Sequence, residues 1–266
     1  MDAAKNETLE TIRSLWTCHG DFTDREIAEA DLEAVLGAAV RAATASGQQS
    51  YSIIVVEDRA TMKTLTGYAG SRALVFCADG NRLARAAERL GPGGPASGGA
   101  SGAGASGGAE ADMNAFVTWS ADALLAAQNA CIAARALGID SLFTNGIGRT
   151  GADRAFALLG LPEKGCFPLI TLVLGYAASR PDKRRGRLAG PGVVHRGRYA
   201  AQTDAELDAM IAAYDDPGAA LGMTTAWVSK GYSHYLEWFF KDWMTGFPDT
   251  AGDEAARQLR THGFLR

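Results

Sequence analysis

The sequence predicts one mixed domain of helices and short strands, and three observations predict it. Short apolar runs such as Ser52-Ile53-Ile54-Val55-Val56 and Leu169-Ile170-Thr171-Leu172-Val173-Leu174 have the length and composition of buried strands. Between them lie longer stretches whose apolar residues recur at helical spacing. The chain has 266 residues, 47 % hydrophobic and 21 % charged, which suits a single globular domain with embellishments.

The elements follow in order. Leu9, Ile12, Leu15 and Trp16 set a first helix over residues 5–17. Cys18 to Phe22 reads as a loop. Thr23-Asp24-Arg25-Glu26 has the spacing of a capping box, and Asp31 offers a second N-cap. Leu32, Val35, Leu36, Ala39 and Val40 then form one apolar helix face. Ser46-Gly47-Gln48-Gln49 is a polar break. Residues 52–57 and 73–78 read as strands, and residues 81–90 as a helix.

Gly91 to Gly108 contains only Gly, Pro, Ala and Ser, and cannot bury enough apolar surface to offset its ordering entropy. It reads as a flexible loop inside the domain, because the strand–helix pattern resumes after it. Two roles stay open for it: a tolerated surface insertion or a mobile lid over an active site.

Residues 113–137 predict a long helix, apolar on several sides through Phe116, Val117, Leu124, Cys131 and Leu137, and hence buried. Its many alanines permit close helix packing, including across a subunit interface. Gly138 stops it. A strand over 141–144, a helix over 152–159 and the strand over 169–174, ending at Gly175-Tyr176, complete the pattern. Residues 180–187 are the one dense basic run. From Thr203 the chain reads as helical, with aromatics at Trp227, Tyr232, Tyr235, Trp238, Phe239, Phe240 and Trp243. They suit packing on the body or on a partner subunit, with a substrate wall as the alternative. The domain reading is therefore a body over 1–200 and a helical extension over 201–266.

Several functions are disfavoured. A net charge of −4 argues against a general nucleic-acid binder. No apolar run reaches the length of a membrane span. Met1 to Glu7 are polar, with no secretory leader, so the expected location is the cytoplasm. Cys18, Cys77, Cys131 and Cys166 are far apart, so neither a metal site nor a disulfide framework is expected, and Cys77 and Cys131 read as core thiols. There is no nucleophile elbow, zincin motif, P-loop or dinucleotide fingerprint. His19, His195, His234 and His262 are isolated along the chain. With no side-chain acid–base apparatus in view, either the chain is not an enzyme or a cofactor carries the chemistry.

Four segments then resemble the nitroreductase family, in the family's order. Leu32 to Val56 is similar to its helix, Ser/Asn/Gln turn and strand; Asp122 to Gly138 to its long central helix; Pro168 to Tyr176 to its late strand and Gly-Tyr signature; and Arg185-Gly186-Arg187-Leu188 to its basic pair. The resemblance covers roughly residues 20–198.

It implies an α+β fold: an α/β/α sandwich with a mostly antiparallel sheet flanked by helices, in an intertwined homodimer with FMN at the interface. NADH or NADPH would reduce the flavin, which would then reduce a small aromatic acceptor, a nitroaromatic or quinone, in ping-pong order. No catalytic side chain is then needed, since the chemistry rests on the flavin. By the same resemblance Gln49 binds the flavin through its amide, and Thr44 and Ser46 supply hydroxyls nearby. Asn145, Gly146 and Ile147 form the loop whose backbone faces the ring, and a glycine there allows close approach. Arg185 and Arg187 hold the FMN phosphate, a task suited to guanidinium forks; read from residues alone they are a solvated charge run.

The chain departs from the family in two places. The Arg-x-Ser-x-Arg-like motif before Phe22 is replaced by Trp16-Thr17-Cys18-His19-Gly20, without either arginine, and Gly47 stands where Asn is common. His19, when protonated, would take over part of the phosphate contact. Two alternatives stay open: a specialised flavin enzyme of the same fold, working by dehalogenation or substrate oxidation, and a flavin-binding protein without turnover.

Overall fold

A four-stranded sheet carries the body of the protein. The computed structural model describes residues 6–91, 113–145, 151–246 and 251–265. Strands β1 (Tyr51–Val56), β2 (Arg72–Asp79), β3 (Asp140–Thr144) and β4 (Cys166–Gly175) lie in the order β1-β2-β4-β3, and every neighbouring pair is antiparallel. The fold is α+β, as expected.

Alternation along the strands divides the core between two faces. Leu74, Phe76, Leu172 and Leu174 face one way, against helix α2 (Glu29–Ala39) and the long helix α5 (Met113–Ala136). Ala73, Val75, Cys77 and Val173 face the other, against α3 (Arg59–Thr66) and α6 (Ala152–Leu159). Helix α4 (Asn81–Leu90) follows β2 directly.

Helix α5 ends as its sequence predicts. Gly138 takes φ 75°, the Gly138 N–H donates to Arg135 O and the Ile139 N–H to Ala134 O. That is a Schellman closure, which needs a left-handed residue at Gly138. The helix is not apolar-buried on all sides, however. Its alanine face packs inward, while Val117, Leu124 and Leu125 are exposed.

Two expectations at the N-terminal end are overturned. The first helix, α1, covers only Glu7–Arg13 and stops well short of residue 17. Thr23 to Glu26 does not cap a helix: α2 starts at Glu29 with Ala28 at its N-cap, and Asp31 lies inside it. For the cap, the reason is long-range competition for Glu26. Its carboxylate accepts from Ser71 Oγ at 2.6 Å, Arg72 Nη1 at 2.7 Å and Arg59 Nη2 at 2.9 Å. These donors hold it at a pKa of about 2, chiefly through Ser71 and then Arg59.

All four cysteines are buried free thiols. The chain divides into two compact units, residues 1–180 with 253–266, and residues 181–252. In the first, the C-terminal stretch docks through Phe264 and through His262, which stacks on Phe156 at 3.6 Å. The second contains α7 (Asp204–Asp215), opened by a Thr203/Glu206 capping box, and the short helices α8 (Ala226–Ser229) and α9 (Tyr235–Trp238). Its aromatics pack on one another, with Tyr214 stacked on Tyr235 at 5.6 Å and Trp238 beside Trp243.

Candidate functional site

The turn between α2 and β1 is the most constrained backbone in the body. Ser46 and Gln49 both take φ 50°, left-handed values that non-glycine residues adopt at a cost. Gly47 between them takes φ 68°. Three left-handed residues within four positions persist only where surrounding contacts impose them.

The imposing group is Asp122 on α5, which is 2 % exposed. One of its oxygens accepts from the Thr44 hydroxyl at 2.6 Å and from the Ser50 N–H at 3.3 Å; the other accepts from the Ala45 N–H at 2.9 Å. Thr44 Oγ1 in turn accepts from the Gln49 N–H at 2.8 Å. From the other side, Arg82 on α4 donates to the carbonyls of Gln48 and Gln49. The turn is thus gripped at its N–H groups by a carboxylate and at its carbonyls by a guanidinium. The Gln49 amide nitrogen makes only long contacts, 3.3 Å to Val40 O and 3.4 Å to Tyr51 Oη.

A second buried carboxylate organises the opposite edge of the sheet. Asp140, 3 % exposed, opens β3 and accepts from Trp16 Nε1 at 3.0 Å and from the Ala177 N–H at 3.1 Å. Arg135 and Arg180 lie 3.4 and 3.7 Å from it. Next to it the Cys18 N–H donates to Ser141 O at 2.9 Å, which brings exposed His19 to the start of β3. Burial pushes the Cys18 thiol up. Asn145, also exposed, follows the other end of β3. Gly146 and Ile147 lie outside the described residues, as does the glycine-rich run from residue 92 onward.

In the second unit Arg185 donates through Nη1 to Gly222 O and through Nη2 to Met223 O at 2.8 Å. Arg187 donates to Gly186 O at 2.8 Å. Both guanidinium groups are exposed and keep further N–H donors.

Thr44, Ser46 and Gln49 are therefore brought together in one turn. His19 and Asn145 flank β3. These two groups do not meet within one chain: β1 and β3 are opposite edges of the sheet, three strand spacings or roughly 14 Å apart. Asp122, Asp140 and Arg82 were not singled out from the sequence. Asp122 did leave a signal: it lies in the buried Trp119, Ala123, Ala126 stripe of α5, where an unpaired carboxylate would be costly.

Taken by itself, the constrained turn offers hydroxyl and amide groups of the kind that suit a polar aromatic ring and a polyol chain, and each exposed guanidinium of the second unit is of the kind that suits a phosphate.

A model described as the nitroreductase family matches residues 12–176. An FMN reductase (NADPH) from Bacillus subtilis (strain 168) is 31 % identical over 207 residues, covering 75 % of this chain and 77 % of the relative. An oxygen-insensitive NADPH nitroreductase from Salmonella typhimurium is 32 % identical over 188 residues, covering 67 % and 69 %. Among solved structures, an NADPH:FMN oxidoreductase from Vibrio harveyi, complexed with NAD+, matches with a TM-score of 0.73 at 21 % identity, covering 98 % of this chain and 99 % of the other.

Proposed function

The chain belongs to the nitroreductase family, and we propose that it passes hydride from NAD(P)H through FMN to a small aromatic acceptor, a quinone or a nitroarene. It is an oxidoreductase that uses FMN, with NADH or NADPH as reductant. The observation that carries the reading is the turn 44–50, where two non-glycine residues are held left-handed by a buried carboxylate. Strain of this kind gathers at binding sites, where a rigid surface must be ready before the ligand arrives.

FMN supplies the two-electron chemistry, in alternate half-reactions with the nicotinamide and the acceptor. The protein's part is to bind, orient and exclude water. Gln49 offers its side-chain amide and Ser46 its hydroxyl to the flavin. The hydrogen of the Thr44 hydroxyl is committed to Asp122, so Thr44 shapes the turn more than it contacts a ligand. The family resemblance assigns Asn145 to the ring and Arg185 and Arg187 to the phosphate. His19, at the far end of β3 from Asn145, offers a further cation when protonated.

The working unit in this reading is a homodimer. One chain presents the 44–50 turn at one sheet edge and His19 and Asn145 at the other, and in this reading a second copy brings the two halves to one flavin. The exposed apolar residues Val117, Leu124 and Leu125 of α5 suit such a contact. Among the described residues no helix is long and apolar enough to cross a membrane, and we place the enzyme in the cytoplasm.

An absorbance spectrum of the purified protein with FMN, before and after NADPH, tests the reading. Flavin bands that bleach on NADPH and recover with a quinone are the expected result. A protein that neither retains nor takes up FMN overturns it and leaves a family member without turnover.

A further inference from the structure

We infer that Asp122 is a positioning residue for the flavin, acting through Thr44 to fix Gln49; this rests on the reading that the 44–50 turn binds FMN. The relay has two links. The Gln49 N–H donates to Thr44 Oγ1 at 2.8 Å, and that hydroxyl donates to Asp122 at 2.6 Å. A hydroxyl has one hydrogen, so the direction is fixed. With its hydrogen held on the carboxylate, the Thr44 oxygen keeps a lone pair directed at the Gln49 N–H. Removing the acceptor at 122 frees that hydrogen and loosens the link to Gln49.

The geometry also explains why the residue is aspartate and not asparagine. Both oxygens of Asp122 face donors: Ala45 N–H on one side, the Thr44 hydroxyl and the Ser50 N–H on the other. An asparagine amide, in either orientation, would set its NH2 against a backbone N–H. The site requires an acceptor at both positions, and only a carboxylate supplies two. Because Asp122 is 2 % exposed, water cannot substitute. Neither Asp122 nor the Thr44 hydrogen needs to touch the ligand; they hold the backbone from which Gln49 and Ser46 reach it.

Three variants test this: Thr44→Val, Thr44→Ser and Asp122→Asn, with folding checked by circular dichroism. Apo-protein is titrated with FMN and followed by flavin fluorescence. Thr44→Val and Asp122→Asn are expected to weaken FMN binding about tenfold or more, the equivalent of one lost buried hydrogen bond. Thr44→Ser, which restores the hydroxyl, should stay within about twofold of wild type by the same reasoning. At saturating FMN the KM for NADPH in Thr44→Val should match the wild-type value, and rescue by Thr44→Ser separates the lost hydroxyl from general destabilisation. Wild-type FMN affinity in Thr44→Val overturns the inference, as does a Thr44→Ser variant as weak as Thr44→Val. Should Asp122→Asn fail to fold, the two Thr44 variants decide alone.

Amide hydrogen exchange on the apo-protein separates this inference from the function it rests on. The Gln49 amide is expected to exchange about tenfold faster in Thr44→Val than in wild type. If wild type binds no FMN, the functional reading falls and the relay is judged on exchange, where unchanged Gln49 protection refutes it.

Discussion

Two buried carboxylates, one in the middle of helix α5 and one just beyond its C-terminal end, serve different purposes. Asp122 lies near the middle of the helix; Arg135, 13 residues or roughly 20 Å further on, reaches Asp140 beyond its C-terminal end. Each carboxylate is nearly fully buried and accepts from several donors. The partners of Asp122 are uncharged N–H and O–H groups from one short turn. The four partners of Asp140 come from three separate segments, and two are cationic: Trp16, Arg135, Ala177 and Arg180. The first arrangement dictates backbone shape within a turn. The second ties remote parts of the chain together. Loss of Asp122 should therefore appear mainly in ligand affinity, and loss of Asp140 mainly in stability.

The largest expected effect is on Asp140→Ala. It orphans the Trp16 indole and the Ala177 N–H and leaves Arg135 without its counter-charge. A fully buried ion pair loses more when one partner is removed, but Arg135 and Arg180 have side chains 21 % and 62 % exposed, so the expected cost is about 3 kcal/mol. Asp122→Ala should cost about 2 kcal/mol, because its donors are neutral and fewer elements part. Urea unfolding of both variants measures the difference. If Asp122→Ala is the less stable of the two, the contrast between the two carboxylates is wrong.

A smaller effect sharpens the contrast with an exposed carboxylate. Glu26 has a side chain 54 % exposed yet is held near a pKa of 2 against an ordinary 4.5. A carboxylate whose pKa is lower in the folded state contributes stability that is present above pH 4.5 and is lost as pH falls toward 2. Glu26→Gln should therefore lower stability above pH 4.5, by an amount that solvent screening of the Arg59 and Arg72 contacts reduces, and flatten the loss of stability below it. Unfolding midpoints at stepped pH values check this. A Glu26→Gln profile parallel to wild type from neutral pH to pH 2 contradicts the assignment.

What could be read from the sequence divides along the same line. Elements held by local pattern were legible. The strands around Ile53, Val75 and Leu172 follow from β-branched composition, and the end of α5 follows from Gly138. Elements decided by distant partners were not. Thr23 and Glu26 have the spacing of a cap, but Glu26 is taken by Ser71, Arg59 and Arg72, more than 30 positions away. Helix α3 escaped notice because its few buried apolar residues, Met62 and Leu65, make too short a stripe. At the candidate site Thr44, Ser46 and Gln49 were found through resemblance. Asp122, which holds them, lies 78 positions from Thr44, so its role exists only once the chain is folded.

The smallest expected effect isolates a single hydroxyl in that turn. Ser46 carries the cost of a left-handed backbone at φ 50°, and its side chain makes no hydrogen bond among the described residues. Replacing it with glycine removes roughly 1 kcal/mol of steric cost but adds a similar loss of backbone freedom on folding, so the two nearly cancel. Stability of Ser46→Gly should thus stay within about 0.5 kcal/mol of wild type. With shape and stability held constant, any change in FMN affinity reports the hydroxyl itself. A severalfold weaker FMN complex is the expected outcome if Ser46 contacts the flavin directly. Unchanged affinity would reduce Ser46 to a spacer and leave Gln49 as the group that the relay from Asp122 serves.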